Sequence, residues 1–325
     1  MSRYKHLFIM DPIESLNMKL DTTLRISRSL FYRGDEIYFC QPINLSWNKR
    51  ENCATAYIKK LQFKDRSLNN ITVSNDNYLK LNDFNAIHMR KDPPFDMDYI
   101  TCTWLIESAQ NKTRIYNSPS ALRGINEKLA IFRFPGEIEE ALVSHDPKQL
   151  LKFIINNCKG DAICKPLTLF GGRGIVRLKF ENKENPPAEI KKILIDETNN
   201  GKSARLIQPF NDKIFKGEIR VFTVGGKSIS WCLKKPDKGN YLANTSSGAT
   251  LNKYEPTKNE IIRIEKIASS MLKDGVYFVG FDIIGEHLSE INITSPRLLQ
   301  ATDDQSDYYE TISDWISNDL KMNTN

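Results

Sequence analysis

The sequence predicts an α/β fold. Three observations carry that expectation: a strand–helix–strand start, a glycine-rich loop between two strand-like runs, and a late pair of apolar runs around a polar turn. His6-Leu7-Phe8-Ile9-Met10 reads as a buried first strand, and Asp11-Pro12 starts a turn. Residues 16–32 read as a helix ending near Gly34, and 36–40 as a second strand. Residues 44–82 are rich in Asn and Lys and read as hairpins and loops. Residues 85–89 read as another strand, ended by Pro93-Pro94, because a proline pair cannot continue a sheet interior. Loops at such strand ends commonly carry binding residues. Residues 99–110 read as a helix.

A second region opens near Arg123, with a helix over 148–157, strands over 161–165 and 171–180, and a short helix over 190–197. A polar, proline-containing connection covers 182–187. A third region runs from Ala204 to about 319, with strands over 204–208, 219–224 and 227–233 and a helix over 260–272. Its last feature is a hairpin within 276–295.

At 325 residues the chain has room for two or three domains. Apolar content of 40% and charged content of 26% fit a soluble globular protein. The net charge of +6 comes from scattered Lys and Arg, which suits anionic small molecules and gives no nucleic-acid signature. The apolar run 7–10 is too short for a signal peptide, and no stretch approaches the roughly 20 apolar residues of a membrane span. A cytoplasmic protein without membrane contact is expected. The six cysteines form no Cys-x-x-Cys pair and the four histidines no zinc spacing, so reduced, buried thiols are expected.

The chemistry lies in four places. In the late hairpin, Glu290 and Asn292 are two apart on one strand and so share a face, and Asp282 can face them from the neighbouring strand. An isolated Glu-x-Asn is ordinarily a water-facing strand edge. Three oxygen donors on a rigid sheet suit Mg²⁺, an ion that accompanies phosphates. Upstream, Gly171-Gly172-Arg173-Gly174 fits neither the phosphate loop with Lys-Ser nor the dinucleotide fingerprint, and reads as a glycine flap between two strands. Lys165 ends an otherwise buried strand and must meet a partner, of which a phosphate is one; Lys128 is a second candidate. Arg220 sits within a strand-like run, where it can hold a carboxylate bidentately, steady developing negative charge or form a structural ion pair.

One ordered set of motifs spans most of the chain: Met10-Asp11-Pro12-Ile13, Met89-Arg90-Lys91-Asp92-Pro93-Pro94-Phe95, Asn126-Glu127-Lys128, Lys165-Pro166, Gly171-Gly172, Arg220-Val221, residues 280–285 and residues 290–296. The set resembles bacterial-type glutathione synthetase, an ATP-grasp carboxylate–amine ligase family. The resemblance implies an N-terminal pre-ATP-grasp domain over 1–122, an ATP lid over 123–202 and a C-terminal ATP-grasp domain over 203–325. It implies ATP contacts from Lys128, Lys165, the flap glycines Gly171 and Gly172, and Gln208 beside the adenine, with Glu218 toward the ribose. It implies Mg²⁺, or Mn²⁺ in its place, on Asp282, Glu290 and Asn292. Arg220 and Lys235, the latter at a position usually held by arginine, would meet the acyl substrate or intermediate. It also implies small-molecule partners (γ-glutamylcysteine, glycine and ATP) and a homo-oligomer, typically a tetramer.

The segment 234–251 departs most from the family pattern. Asn244 and Gly248 are retained, but two expected loop arginines are replaced by Leu242 and Thr250, and the loop is one residue shorter. Arg297 is also unusual. The leading expectation is ATP-dependent joining of γ-glutamylcysteine and glycine. The alternatives are a ligase with another acceptor, or a non-catalytic ATP- or thiol-peptide-binding homologue.

Overall fold

The computed structural model describes residues 3–18, 21–66, 68, 70–301, 304 and 306–323. The first part is built from β1 (Lys5–Ile9), α1 (Thr22–Tyr32), β2 (Glu36–Cys40), β3 (Leu45–Ser46), β4 (Thr55–Phe63), β5 (Ile71–Lys80), β6 (Ala86–Met89), α2 (Met97–Glu107), β7 (Arg114–Tyr116) and α3 (Pro119–Gly124). Its sheet runs β3-β4-β2-β1-β6-β7, with β5 along β4. The pairs β1–β2, β1–β6 and β6–β7 are parallel, as a strand–helix–strand start requires. Helix α1 starts later than the sequence pattern suggests. Asp21 caps it by accepting from Leu24 N at 2.7 Å, and a 3-10 turn occupies Ile13–Ser15. Residues 19 and 20 of the expected helix lie outside the described residues.

The second part contains β8 (Leu142–Ser144), α4 (Pro147–Asn156), β9 (Asp161–Pro166), β10 (Val176–Lys179), α5 (Ala188–Glu197) and β11 (Arg205–Pro209). Its antiparallel sheet runs β10-β9-β11-β8 and has its own core of Leu150, Ile154, Leu178 and Leu194. The third part contains β12 (Glu218–Val224), β13 (Lys227–Lys235), β14 (Thr250–Lys253), α6 (Lys258–Met271), β15 (Phe278–Ile284), β16 (His287–Asn292) and α7 (Tyr308–Asn323). Its antiparallel sheet runs β14-β13-β12-β15-β16. The hairpin turn between β15 and β16 places Gly285 at φ 62, the left-handed region that glycine enters most easily.

The first and third parts share cores. Leu7, Ile9 and Ile87 belong to one apolar cluster with Val221, Phe281 and Ile264. Phe8 and Leu24 belong to another with Phe222, Ile312 and Ile316. Helix α7 is therefore a strap back onto the first sheet, and Asp319 ties it down by accepting from Arg114 Nε at 2.7 Å and Tyr116 Oη at 2.6 Å. Asn117 locks the same junction. It donates to the carbonyls of Phe278 and Ile293, each at 2.8 Å, and accepts from the N–H groups of Tyr277 and Phe278. No helix among the described residues is long and apolar enough to cross a membrane.

Beside the second of these clusters, His88 is stacked against Phe8 with ring centroids 4.3 Å apart and lies 3.1 Å from the His6 ring nitrogen. Burial, then the neighbouring His6 and Arg90, push its pKa well below the ordinary 6.5. His88 is thus neutral in the fold while the unfolded chain binds a proton below pH 6.5. Stability from this site is intact above that value and is lost as pH falls through it. Urea midpoints should fall between pH 7 and about pH 5, and the slope should be shallower in a His88→Phe variant. An unchanged slope in that variant would remove His88 as the cause.

Candidate functional site

Antiparallel pairing builds the site on the third sheet. Arg220 on β12 is in register with Asp282 on β15, and Asp282 with Glu290 on β16. Residues directly opposite on adjacent strands share a face. Arg220, Asp282 and Glu290 therefore form a row across three strands. Asn292, two along from Glu290, joins them and donates Nδ2 to Asp282 Oδ2 at 3.0 Å.

Arg220 grips the Asp282 carboxylate bidentately, with Nε to Oδ1 at 3.0 Å and Nη2 to Oδ2 at 2.9 Å. Its Nη1 makes no hydrogen bond among the described residues. Gly280 leaves that nitrogen room, since a Cβ there would sit 2.6 Å from it. Lys234 reaches the same carboxylate, Nζ to Oδ1 at 2.7 Å, and also contacts Glu218. Burial raises the Asp282 carboxyl, but Arg220 and Lys234 outweigh it and hold the group below the usual carboxylate range. Glu218 moves the other way. Burial and the adjacent Asp282 charge push it up to about 7 against the pull of Lys234.

The second sheet supplies the facing wall. Lys165 on β9 donates to Gln208 Oε1 at 2.9 Å and to Ser289 Oγ at 3.0 Å. Desolvation lowers its pKa, so its charge is costly without an anion nearby. Lys128, only 5% exposed, donates to Glu290 Oε1 at 3.1 Å and to the Leu169 carbonyl. The flap glycines Gly171 and Gly172 lie at φ 64 and φ 77, and Gly172 is packed against Asn244 of the segment after β13.

A cleft lies between the two sheets. Lys165, Gly171, Gly172, Gln208, Glu218, Arg220, Asp282, Glu290 and Asn292 all line it. Lys128 meets it through Glu290. Lys235 does not. It is the last residue of β13 and is exposed, whereas Lys234 points inward opposite Glu218. Strand alternation decides this, because Lys234 shares its face with buried Cys232. That parity was the available signal for Lys234. Glu218 meets Lys234 at the cleft wall. Tyr241, Leu242 and Asn244 also line the cleft, so the divergent loop borders it directly.

The donor set fits a hard divalent cation. Asp282 and Glu290 present carboxylates in register, and the Asn292 amide lies beside them; all three offer oxygens, which Mg²⁺ and Mn²⁺ accept. Among the described residues no cluster of three Asp, Glu, His or Cys side chains converges, so Asn292 is needed to complete the set.

Two motifs quoted from the sequence meet behind the metal candidates. Buried Arg90 donates to the Pro296 carbonyl at 2.9 Å and to Thr23 Oγ1 at 3.1 Å. Arg297 pairs with Asp92 at 2.6 Å, and Lys91 with Asp11 at 2.8 Å. Glu127, which sequence reasoning did not single out, accepts from the N–H groups of Ile293 and Thr294 at 2.7 and 2.8 Å. These bonds fix the segment that follows Asn292.

Comparison with known proteins agrees with this layout. A family model described as prokaryotic glutathione synthetase, N-terminal domain, matches residues 4–123, and one described as prokaryotic glutathione synthetase, ATP-grasp domain, matches 127–307. A glutathione synthetase of Ralstonia nicotianae is 32% identical over 308 residues, covering 93% of this chain and 91% of the relative. One of Yersinia pestis is 34% identical over 297 residues, covering 90% and 89%. Among solved structures, a D-cycloserine synthetase superposes with a TM-score of 0.67 at 12% identity, covering 97% of this chain and 99% of the other. An ATP-grasp ligase complexed with minimal precursor, Mg and ADP superposes at 0.60 and 15% identity, covering 98% of each chain. At such identities the likeness is one of fold, and the fold is ATP-grasp.

Position 172 is the point in the glycine loop where a side chain has least room. A side chain there would be strained at its positive φ and would collide with Asn244. Gly172→Ala should weaken nucleotide binding roughly tenfold, read as a raised KM for ATP, while the melting temperature falls by only a few degrees. An unaltered KM would show that the flap does not close on the nucleotide.

Proposed function

The chain belongs to the prokaryotic glutathione synthetase family, and from that premise we propose how its own side chains carry out ATP-dependent glutathione synthesis. The reaction joins γ-glutamylcysteine to glycine and releases ADP and phosphate. Hydroxide is a poor leaving group, so the carboxylate must first take the γ-phosphoryl of ATP to become an acyl phosphate. The glycine amine then attacks, a tetrahedral oxyanion forms, phosphate departs and the amide remains.

Lys128 and Lys165 take the phosphate charge as it moves. Both ammonium groups are held by neutral or anionic oxygens from either side of the cleft, so they meet the nucleotide already oriented. Gln208 borders the base and Glu218 the ribose side. Arg220 keeps Asp282 fixed with one edge and offers Nη1 to the developing oxyanion with the other. Lys235, exposed at the end of β13, would meet the carboxylate of an incoming substrate. Gly171 and Gly172 let the flap close and exclude water, which would otherwise hydrolyse the acyl phosphate. Asp282, Glu290 and Asn292 would hold Mg²⁺, or Mn²⁺ in its place, which when bound would supply charge neutralisation to the phosphates.

The observation that supports this assignment best is the meeting of Lys165, Arg220, Asp282, Glu290 and Asn292, from two sheets, in one cleft. The three units 1–122, 123–202 and 203–325 then act as substrate domain, lid and catalytic domain. We extend the proposal to a cytoplasmic homotetramer. Its mass by light scattering should be four times that of the chain.

Product mass spectrometry from ATP, Mg²⁺, γ-glutamylcysteine and mixed amino acids tests the chemistry, with glutathione as the expected product. ADP release that ignores glycine but follows another amine would overturn the acceptor. Glu290→Ala should reduce ATP-dependent product by at least about a thousandfold while the fold survives. Retained turnover in that variant would dismiss Glu290 as a metal ligand.

A further inference from the structure

Lys234 has no role in the mechanism above, yet it is placed at the centre of the site. It is 2% exposed, and its Nζ lies 2.7 Å from Asp282 Oδ1 and against Glu218. Four nitrogen contacts converge on the Asp282 carboxylate: Arg220 Nε and Lys234 Nζ on Oδ1, Arg220 Nη2 and Asn292 Nδ2 on Oδ2. A carboxylate so enclosed has little lone-pair density free for an ion. The amide of Asn292 can present its oxygen by turning over, and Arg220 is held flat by its bidentate bond. Lys234, on a flexible four-carbon stem, is the group able to withdraw.

Charge leads to the same residue. Lys128, Lys165, Lys234 and Arg220 balance Glu127, Glu218, Asp282 and Glu290 when all are ionised. A divalent ion entering alone would leave excess positive charge in a desolvated cleft, and it would lie close to a like charge. A polyphosphate arriving with the ion removes that excess and gives the displaced ammonium a new anionic partner.

We propose that Lys234 is a tethered cation that competes with the divalent ion for Asp282, so that metal binds firmly only together with an anionic nucleotide. Lys234 is on this reading a positioning residue: it keeps Asp282 oriented beforehand and couples the arrival of metal to that of nucleotide. The inference rests on the assignment of Asp282, Glu290 and Asn292 as metal ligands, and its test separates the two.

Mn²⁺ binding to the nucleotide-free full chain is measured by the electron paramagnetic resonance of free Mn²⁺. Lys234→Met should tighten Mn²⁺ binding by about tenfold or more. Lys227→Met, at the exposed start of the same strand, should leave it unchanged. Structural damage would weaken binding, so tightening is specific to competition. Glu290→Gln should weaken Mn²⁺ binding. If it does not, the ligand assignment fails. If it does while Lys234→Met fails to tighten binding, competition by Lys234 is overturned. Should Lys234→Met not fold, a crystal structure of the unaltered chain with Mn²⁺ and a non-hydrolysable ATP analogue decides. Lys234 Nζ should have left Asp282 for phosphate or Glu218. An ammonium still on Asp282 Oδ1 beside the bound ion would sink the proposal.

Discussion

The constraint on which the site depends is that charges buried on the third sheet must be compensated by one another. Asp282 lies in a strand whose neighbours Phe281 and Ile283 are buried, and it is itself buried. An ionised carboxylate there is tolerable only with close partners, and breaking such a pair leaves an uncompensated ion at a cost of about 3–5 kcal/mol. Arg220 and Lys234 meet that need, and Glu218 is drawn in through Lys234. Because all of these groups stand on paired strands, their separations are set by sheet geometry rather than by loop conformation. A reaction that needs a phosphoryl group, a carboxylate and an amine in line is well served by such rigidity.

The same requirement explains how the parts are joined. The segment after β16 carries residues that must hold position behind Asn292, and it is bonded from three directions. Glu127 takes its N–H groups, Asn117 takes the Ile293 carbonyl, and Arg90 takes the Pro296 carbonyl. Two of these anchors, Asn117 and Arg90, belong to the first part of the chain. The first and third parts therefore move together, with shared apolar clusters beneath them. The second sheet has a core of its own, yet Leu206 of β11 joins the shared apolar cluster, and Lys165 donates to Ser289 across the cleft.

Much of this was legible in the residues. The alternation of apolar positions marked the strands, and the spacing of Glu290 and Asn292 put both on one face. Their juxtaposition with Asp282 followed from a hairpin whose turn sits at Gly285. Other features were less visible. Helix α7 was missed although Tyr309, Ile312, Ile316 and Leu320 mark a helical stripe, because the stripe is diluted by polar residues between. Strands β7, β8 and β14 have three or four residues each, too few for a pattern to emerge. The choice between Lys234 and Lys235 turned on which residue of an adjacent pair faces inward. The register shift between Phe222 and Thr223 lies before Ser230, and from there unbroken alternation through buried Ser230 and Cys232 carries the inward face to Lys234. The cross-strand partner Glu218 agrees with that choice.

The divergent loop after β13 can be understood on the same physical terms. It lacks the arginines expected of it, yet it still reaches the cleft through Tyr241, Leu242 and Asn244. Tyr241 meets Phe210 edge to face at 6.1 Å, and the guanidinium of Arg177 lies over the other aromatic partner, 3.4 Å from the Phe210 centroid. Arg177 stands on β10, and Phe210 directly follows β11. The loop therefore borders the cleft by aromatic and apolar contact with the second sheet's end rather than by charge. Such contact seals against water without adding cations, and cations are already numerous inside. Even with all four carboxylates ionised, Lys128, Lys165, Lys234 and Arg220 already match them, so further arginines on the loop would tip the cleft toward positive charge. An apolar cover over a charge-balanced interior is the self-consistent arrangement for this chain.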